Sequence, residues 1–266
     1  MNSISLYFKL VRMSVASQMQ YRASFAIMSI GMALVTVIEF GGIWVLFDRF
    51  GSLQQWTLAE VGLFYGIIHC SFAISEAFGR GFDIFHRYIL RGDFDRLLLR
   101  PRSTVLQVLG QDLQLMRIGR LAQALAILLW SAWVVGVEWT LLKVSVLLFA
   151  IGGGFLLFIG IMIVQATVSF WTIQGLEFMN SFTHGGVYMA QHPLSIFDGW
   201  LRNFFLFVIP LGCVNYFPVL FITGKEDIFG TTPLFQALAP LAGVIFLLVS
   251  LRVWRFGLLR YQSTGS

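Results

Sequence analysis

Six long apolar stretches constrain this chain more than any other feature: Ala23–Phe47, Val61–Phe78, Leu121–Val137, Val144–Thr172, Phe204–Thr223 and Leu234–Val253. The hydrocarbon core of a bilayer takes ~20 apolar residues per crossing helix, and each stretch reaches or approaches that length. The pattern predicts an all-α polytopic membrane protein with six transmembrane helices, forming one transmembrane domain over residues 1–266.

The charges sort by side. If each stretch crosses once, Lys9, Arg12 and Arg22 fall on the same side as Arg80, Arg87, Arg91, Arg96, Arg100, Arg102, Arg117 and Arg120. Arg202, Arg252, Arg255 and Arg260 join them, and only Arg49, Lys143 and Lys225 lie opposite. Lys and Arg concentrate on cytoplasmic loops, so both termini are expected in the cytoplasm. With 12% charged residues, the chain sits far below the ~25% of soluble domains. The formal charge of +5 is juxtamembrane, which suits anionic lipid headgroups rather than nucleic acid. Cys70 and Cys213 give neither a disulfide framework nor metal-ligand spacing. The first stretch is too long and starts too late for a cleaved signal peptide, so it is expected to remain as a helix.

Ahead of that stretch, Ile4, Phe8, Val11, Val15 and Met19 recur at helical spacing, predicting an amphipathic interfacial helix over 1–22. The connections Asp48–Glu60, Glu138–Lys143 and Gly224–Pro233 are short, whereas Gly79–Gly119 and Ile173–Asn203 are long and are expected on the cytoplasmic side. Val105–Arg120 is amphipathic and reads as an interfacial segment or an extension of the third span. Pro210 and Pro218 predict a kink or a broken helix in the fifth. Seven tryptophans, including Trp56 and Trp254, fall near span ends and read mainly as interface anchors.

The long basic loop contains Gly92-Asp-Phe-Asp-Arg-Leu-Leu-Leu-Arg-Pro-Arg102. Asp residues in the first turn favour a short helix there, and Pro101 limits it. Phe94 and the leucines supply apolar anchors, while the charges set orientation. That composition suits insertion into a groove on another protein.

This run resembles the cytoplasmic loop of permease subunits in ABC-2-type ATP-binding-cassette transporters. His192-Pro-Leu-Ser-Ile-Phe197 and Phe207-Val-Ile-Pro-Leu-Gly-Cys-Val-Asn-Tyr-Phe-Pro218 extend the resemblance across the chain. The resemblance implies an exporter subunit in a bacterial inner membrane, paired with a second permease chain of the same or a related kind. It implies that Gly92, Asp93, Phe94, Asp95, Arg96, Leu97, Leu98, Arg100 and Pro101 dock an ATPase subunit. ATP and Mg would be held by that partner, with no cofactor on this chain. Gly224-Lys225 is followed by Glu226 and lacks the glycine spacing of a phosphate-cradling loop. Well-studied permeases of this kind carry a hairpin that re-enters the outer leaflet before the last span. Gly224–Pro233 is too short to supply one, so their substrate-exit arrangement is not carried over to this chain.

Polar residues within the spans give the remaining candidates. Glu39 in the first span, and Gln165, Thr167 and Ser169 in the fourth, are candidate substrate-pathway residues. Gly152, Gly153, Gly154 and Gly160 suggest close helix approach. His184, His192 and Asp198, with Ser181 and Ser195, could imitate an enzyme site, but they have neither metal spacing nor a nucleophile-elbow motif. An ATP-independent channel or a structural membrane subunit is the alternative to the transporter reading.

Overall fold

The computed structural model describes residues 12–52, 55–172 and 176–262; these form helices joined by turns, with no β-strand among the described residues. Of the segment expected as an interfacial helix, residues 12–19 are helical (α1), while Ile4, Phe8 and Val11 of its expected apolar face lie outside the described residues. There follow α2 (Arg22–Phe50), α3 (Leu58–Asp83), α4 (Phe85–Leu90), α5 (Asp93–Leu98), α6 (Thr104–Leu109), α7 (Ile118–Val134) and α8 (Leu141–Val168). The chain continues through α9 (Leu176–Ala190), α10 (Gly199–Asn203), α11 (Leu211–Val214), α12 (Tyr216–Thr223), α13 (Pro233–Leu238) and α14 (Leu241–Arg260). Among the described residues, α2, α3 with α4, α7, α8 and α14 are each long and apolar enough to cross a membrane. The amphipathic stretch 105–120 is broken: α6 ends at Leu109, and a 3-10 turn over Leu115–Arg117 leads into α7.

Local chemistry sets the helix ends. Thr57 caps α3: its hydroxyl accepts from Glu60 N–H while the Glu60 carboxylate accepts from Thr57 N–H, satisfying two free amides reciprocally. Thr140 caps α8 and Thr232 caps α13, the latter with Pro233 at the first helical position. Helix α3 is the centre of the molecule, packed against α7 on one side and α8 on the other. Its Ser71 and Ser75 hydroxyls donate to the Ile151 and Phe155 carbonyls of α8.

Helices α8 and α14 run side by side in the same direction, with Gly153 against Gly243 and Gly160 against Ser250. A β-carbon on Gly243 would collide with the Gly153 carbonyl. Membrane helices gain from such close backbone approach because lipid provides little hydrophobic drive for association. Gly243→Val is therefore expected to lower thermal stability in detergent by about 1–3 kcal/mol. Gly152, which faces open space, should tolerate Ala with an unchanged melting curve.

The fifth crossing corrects the sequence expectation. Helix α9 runs antiparallel to α3: His184 packs on Phe72 with ring centroids 5.4 Å apart, and Asn215 donates to both Phe64 O and Ala190 O. Beyond α9, Ser195 accepts from Trp56 Nε1 at 3.1 Å, at the start of α3. The described part of the long 173–203 connection, from Leu176 to Asn203, thus does not stay at the Arg-rich end. Helix α9 traverses the bundle, and Ser195 lies at the far end. Residues 199–223 then dip back beside α9, where Phe204 meets Phe182. They return to the far end, where Lys225 Nζ sits 2.8 Å from Glu60.

The two arms of this excursion, Gly199–Val208 and Leu211–Thr223, bend by 73° at Pro210. Proline removes a backbone donor and clashes with the preceding turn, and a π-helical turn over Phe204–Val208 adds to the break. Phe204–Thr223 is therefore a re-entrant hairpin before the last span rather than a straight crossing. Arg202 joins Arg49, Lys143 and Lys225 at the far end.

Candidate functional sites: a basic-end surface and a polar track

At the basic end the chain turns from α3 through α4 into α5. Gly92, at φ +67°, begins α5 in a left-handed conformation that residues with a β-carbon adopt at a cost. The short helix has two faces. Phe94 and Leu97 point into the bundle and are buried, whereas Arg96, Leu98, Leu99, Arg100 and Pro101 are exposed, Leu99 at 85%. Asp93 pairs with Arg96 at 3.5 Å on the surface, a contact of small energetic weight.

Phe94 sits in an aromatic cluster drawn from several elements. Its ring lies 4.9 Å from Phe85 of α4, 5.6 Å from Phe170 after α8, and 5.1 Å from Tyr261 after α14. Trp254 of α14 completes the cluster, 5.0 Å from Phe85. Its indole N–H donates to Thr104 Oγ at 3.0 Å. Trp254 is thus an interior residue rather than an interface anchor. Tyr261 donates to Asp95 Oδ1 at 2.9 Å; burial, followed by that hydrogen bond, pushes the phenol up to about 12, so it stays protonated at neutral pH. The buried Gln107 amide donates to the carbonyls of Leu97 and Arg102. The surface helix is consequently fastened to the basic-end termini of α3, α8 and α14.

A second set of polar groups runs through the apolar bundle. Glu76 of α3 is nearly buried between two guanidinium groups, Arg120 at 2.7 Å and Arg117 at 3.0 Å. Arg117 also reaches Met32 of α2, and Arg120 lies over the Phe72 ring. Farther along α3, the Tyr65 hydroxyl donates to Thr36 O at 2.8 Å, and Gln123 of α7 approaches both. His69 stacks on Tyr65 with centroids 3.9 Å apart and pairs with Gln191. At the mouth of this track, Tyr188 of α9 donates to Glu39 Oε1 of α2 at 3.0 Å.

The four pathway candidates do not converge. Glu39 belongs to this track, whereas Gln165 lies at the basic end, 3.5 Å from Asp83, and Thr167 bonds back to Ile163 O within its own helix. Ser169, at the α8 terminus, is buried near the same end. His184 packs on Phe72 while Ser195 is held by Trp56, so those two do not pair. Among the described residues, no cluster of His, Cys, Asp and Glu could hold a metal ion.

Sequence reasoning missed Glu76, although the signal was present. An acid inside an apolar stretch demands a cation, and the next helix opens with Arg117 and Arg120. Tyr188 and His69 carried no comparable mark.

A bundle of long apolar helices, with a charge-bearing surface helix at one end and polar side chains buried between its spans, is a polytopic all-α membrane protein. A family model described as ABC-2 family transporter protein matches residues 33–265, and the chain belongs to that family. No curated protein and no solved structure matches the chain.

Proposed function

We propose that the chain is one of two permease subunits of an exporter driven by a separate ATPase, which docks on the exposed face of α5. The basic end is then cytoplasmic, in a bacterial inner membrane, and ATP and Mg are held by the ATPase. The observation that carries this reading is the two-faced helix α5. Arg96, Leu98, Leu99, Arg100 and Pro101 are presented outward, while Phe94, Leu97 and Asp95 lock the helix to three spans. Solvent-exposed leucines flanked by arginines suit a shallow apolar groove with an acidic rim. Closure of the ATPase dimer would push α5, and the aromatic cluster would pass that displacement to α3, α8 and α14. The energy enters at α5, and selectivity belongs to the polar track between the spans.

Reversing the outward charge and inserting a carboxylate, as in Arg96→Glu with Leu99→Asp, should leave membrane yield unchanged because neither side chain is buried. Co-purification of the ATPase in mild detergent should fall at least tenfold. Undiminished ATPase in the double variant would contradict docking on this face. A preparation that carries no ATPase even with the unaltered chain would favour an ATP-independent channel or structural subunit.

A further inference from the structure

We propose that the junction of α2 and α9, where Tyr188 meets Glu39, binds a protonated amine with Glu39 as its counter-ion; that the amine is transported cargo rests on the permease reading. Glu39 lies 17 residues into α2, roughly 25 Å along the helix at 1.5 Å per residue, within the length of the span and partly buried. A carboxylate at that depth is costly unless paired or wetted. Its Oε1 receives one hydrogen bond, from Tyr188, while Oε2 is buried without a partner. No described cation pairs with it. The candidates on neighbouring elements, Arg117 and Arg120, are both engaged by Glu76.

The groups behind Glu39 share one polarity. Gln191 presents its oxygen to His69 Nε2, which must then carry the proton, leaving Nδ1 as an acceptor. That Nδ1 and the Gln123 oxygen are both buried without partners. Glu39 Oε2, His69 Nδ1 and Gln123 Oε1 are therefore three acceptors on one polar track. An ammonium group brings three donors and a charge to neutralise the carboxylate, whereas an anion would meet like polarity. Two unfilled groups can donate: Arg120 Nε, between Glu76 and the Phe72 ring and nearer the basic end, and the Ser131 hydroxyl, which can equally accept. The Tyr188 ring is half-exposed at this junction and offers a π-face to a cation.

The test uses the full chain with its ATPase in lipid nanodiscs, titrated with dansylcadaverine, a fluorescent amphipathic primary amine, and with its N-acetylated, uncharged analogue. Saturable binding of the amine is expected, at least tenfold tighter than the analogue. Glu39→Gln should weaken amine binding at least tenfold and Tyr188→Phe several-fold, with ATPase co-purification unchanged in both. Equal affinity for amine and analogue, or Glu39→Gln binding as tightly as the unaltered chain, would overturn the proposal. If Glu39→Gln fails to fold, the amine-to-analogue ratio and Tyr188→Phe decide. Glu39-dependent amine binding by a chain that retains no ATPase would uphold the site and defeat the permease reading instead.

Discussion

Glu76→Leu should collapse the yield of folded protein in the membrane. The substitution leaves Arg117 and Arg120, whose side chains are 13% and 12% exposed, facing each other without the carboxylate between them. Removing one member of a buried ion pair costs about 3–5 kcal/mol, because the remaining charge keeps its desolvation penalty. Here two charges remain and repel. The same glutamate ties α3 to α7 and, through Arg117 and Met32, to α2, so the loss falls on three spans at once. Neutral replacement of all three, Glu76→Leu with Arg117→Met and Arg120→Met, should recover much of the yield, since apolar groups of similar volume often substitute for a buried triad. Fluorescence-detected size-exclusion chromatography reads both outcomes. A monodisperse peak of normal height from Glu76→Leu alone would refute the structural role assigned to the triad.

Phe94→Ala should separate insertion from coupling. The ring is fully buried, and truncating a buried phenylalanine costs about 3–5 kcal/mol from lost contacts and residual cavity. Phe94 lies at the edge of the bundle rather than at its centre, so the damage is local. Helix α5 would loosen from Phe170 and Tyr261 while the spans stay packed. ATPase binding should persist in part, because the exposed face is untouched, but ATP hydrolysis should no longer respond to the state of the spans. Hydrogen exchange over 93–98 is expected to rise markedly, with little change in α8. Unchanged protection of α5 would show that the aromatic cluster does not hold it.

Much of this was legible in the sequence because hydropathy reports apolar surroundings directly. Helices α2, α3, α7, α8 and α14 follow the apolar stretches, and the close packing of Gly153 and Gly160 follows from small residues in a span. The fifth crossing was not legible, for a physical reason. Helix α9 reads LEFMNSFTHGGVYMA, polar and short, because it is sheltered by α3, α8 and the hairpin. The more apolar Phe204–Thr223 bends within the far half of the bundle. Hydropathy measures what a segment touches, not whether it crosses.

The two faces of α5 were equally opaque. Six residues are too few for periodicity to say whether Phe94 or Leu99 turns inward, and only the positions of Phe85, Phe170, Trp254 and Tyr261 decide it. Tyr188 and Glu39 lie 149 residues apart in the chain, and no local pattern could join them.

The most direct test of the central claim, that an ATPase engages this chain through α5, is photocrosslinking in native membranes from a benzoylphenylalanine placed at Leu99 or at Lys225. Leu99 is exposed at the C-terminal end of α5, and Lys225 lies at the opposite end of the bundle. An adduct with an ATP-binding-cassette ATPase from position 99 and none from position 225, identified by mass spectrometry, is the predicted result. No such adduct from position 99, or one formed from position 225 instead, would contradict it.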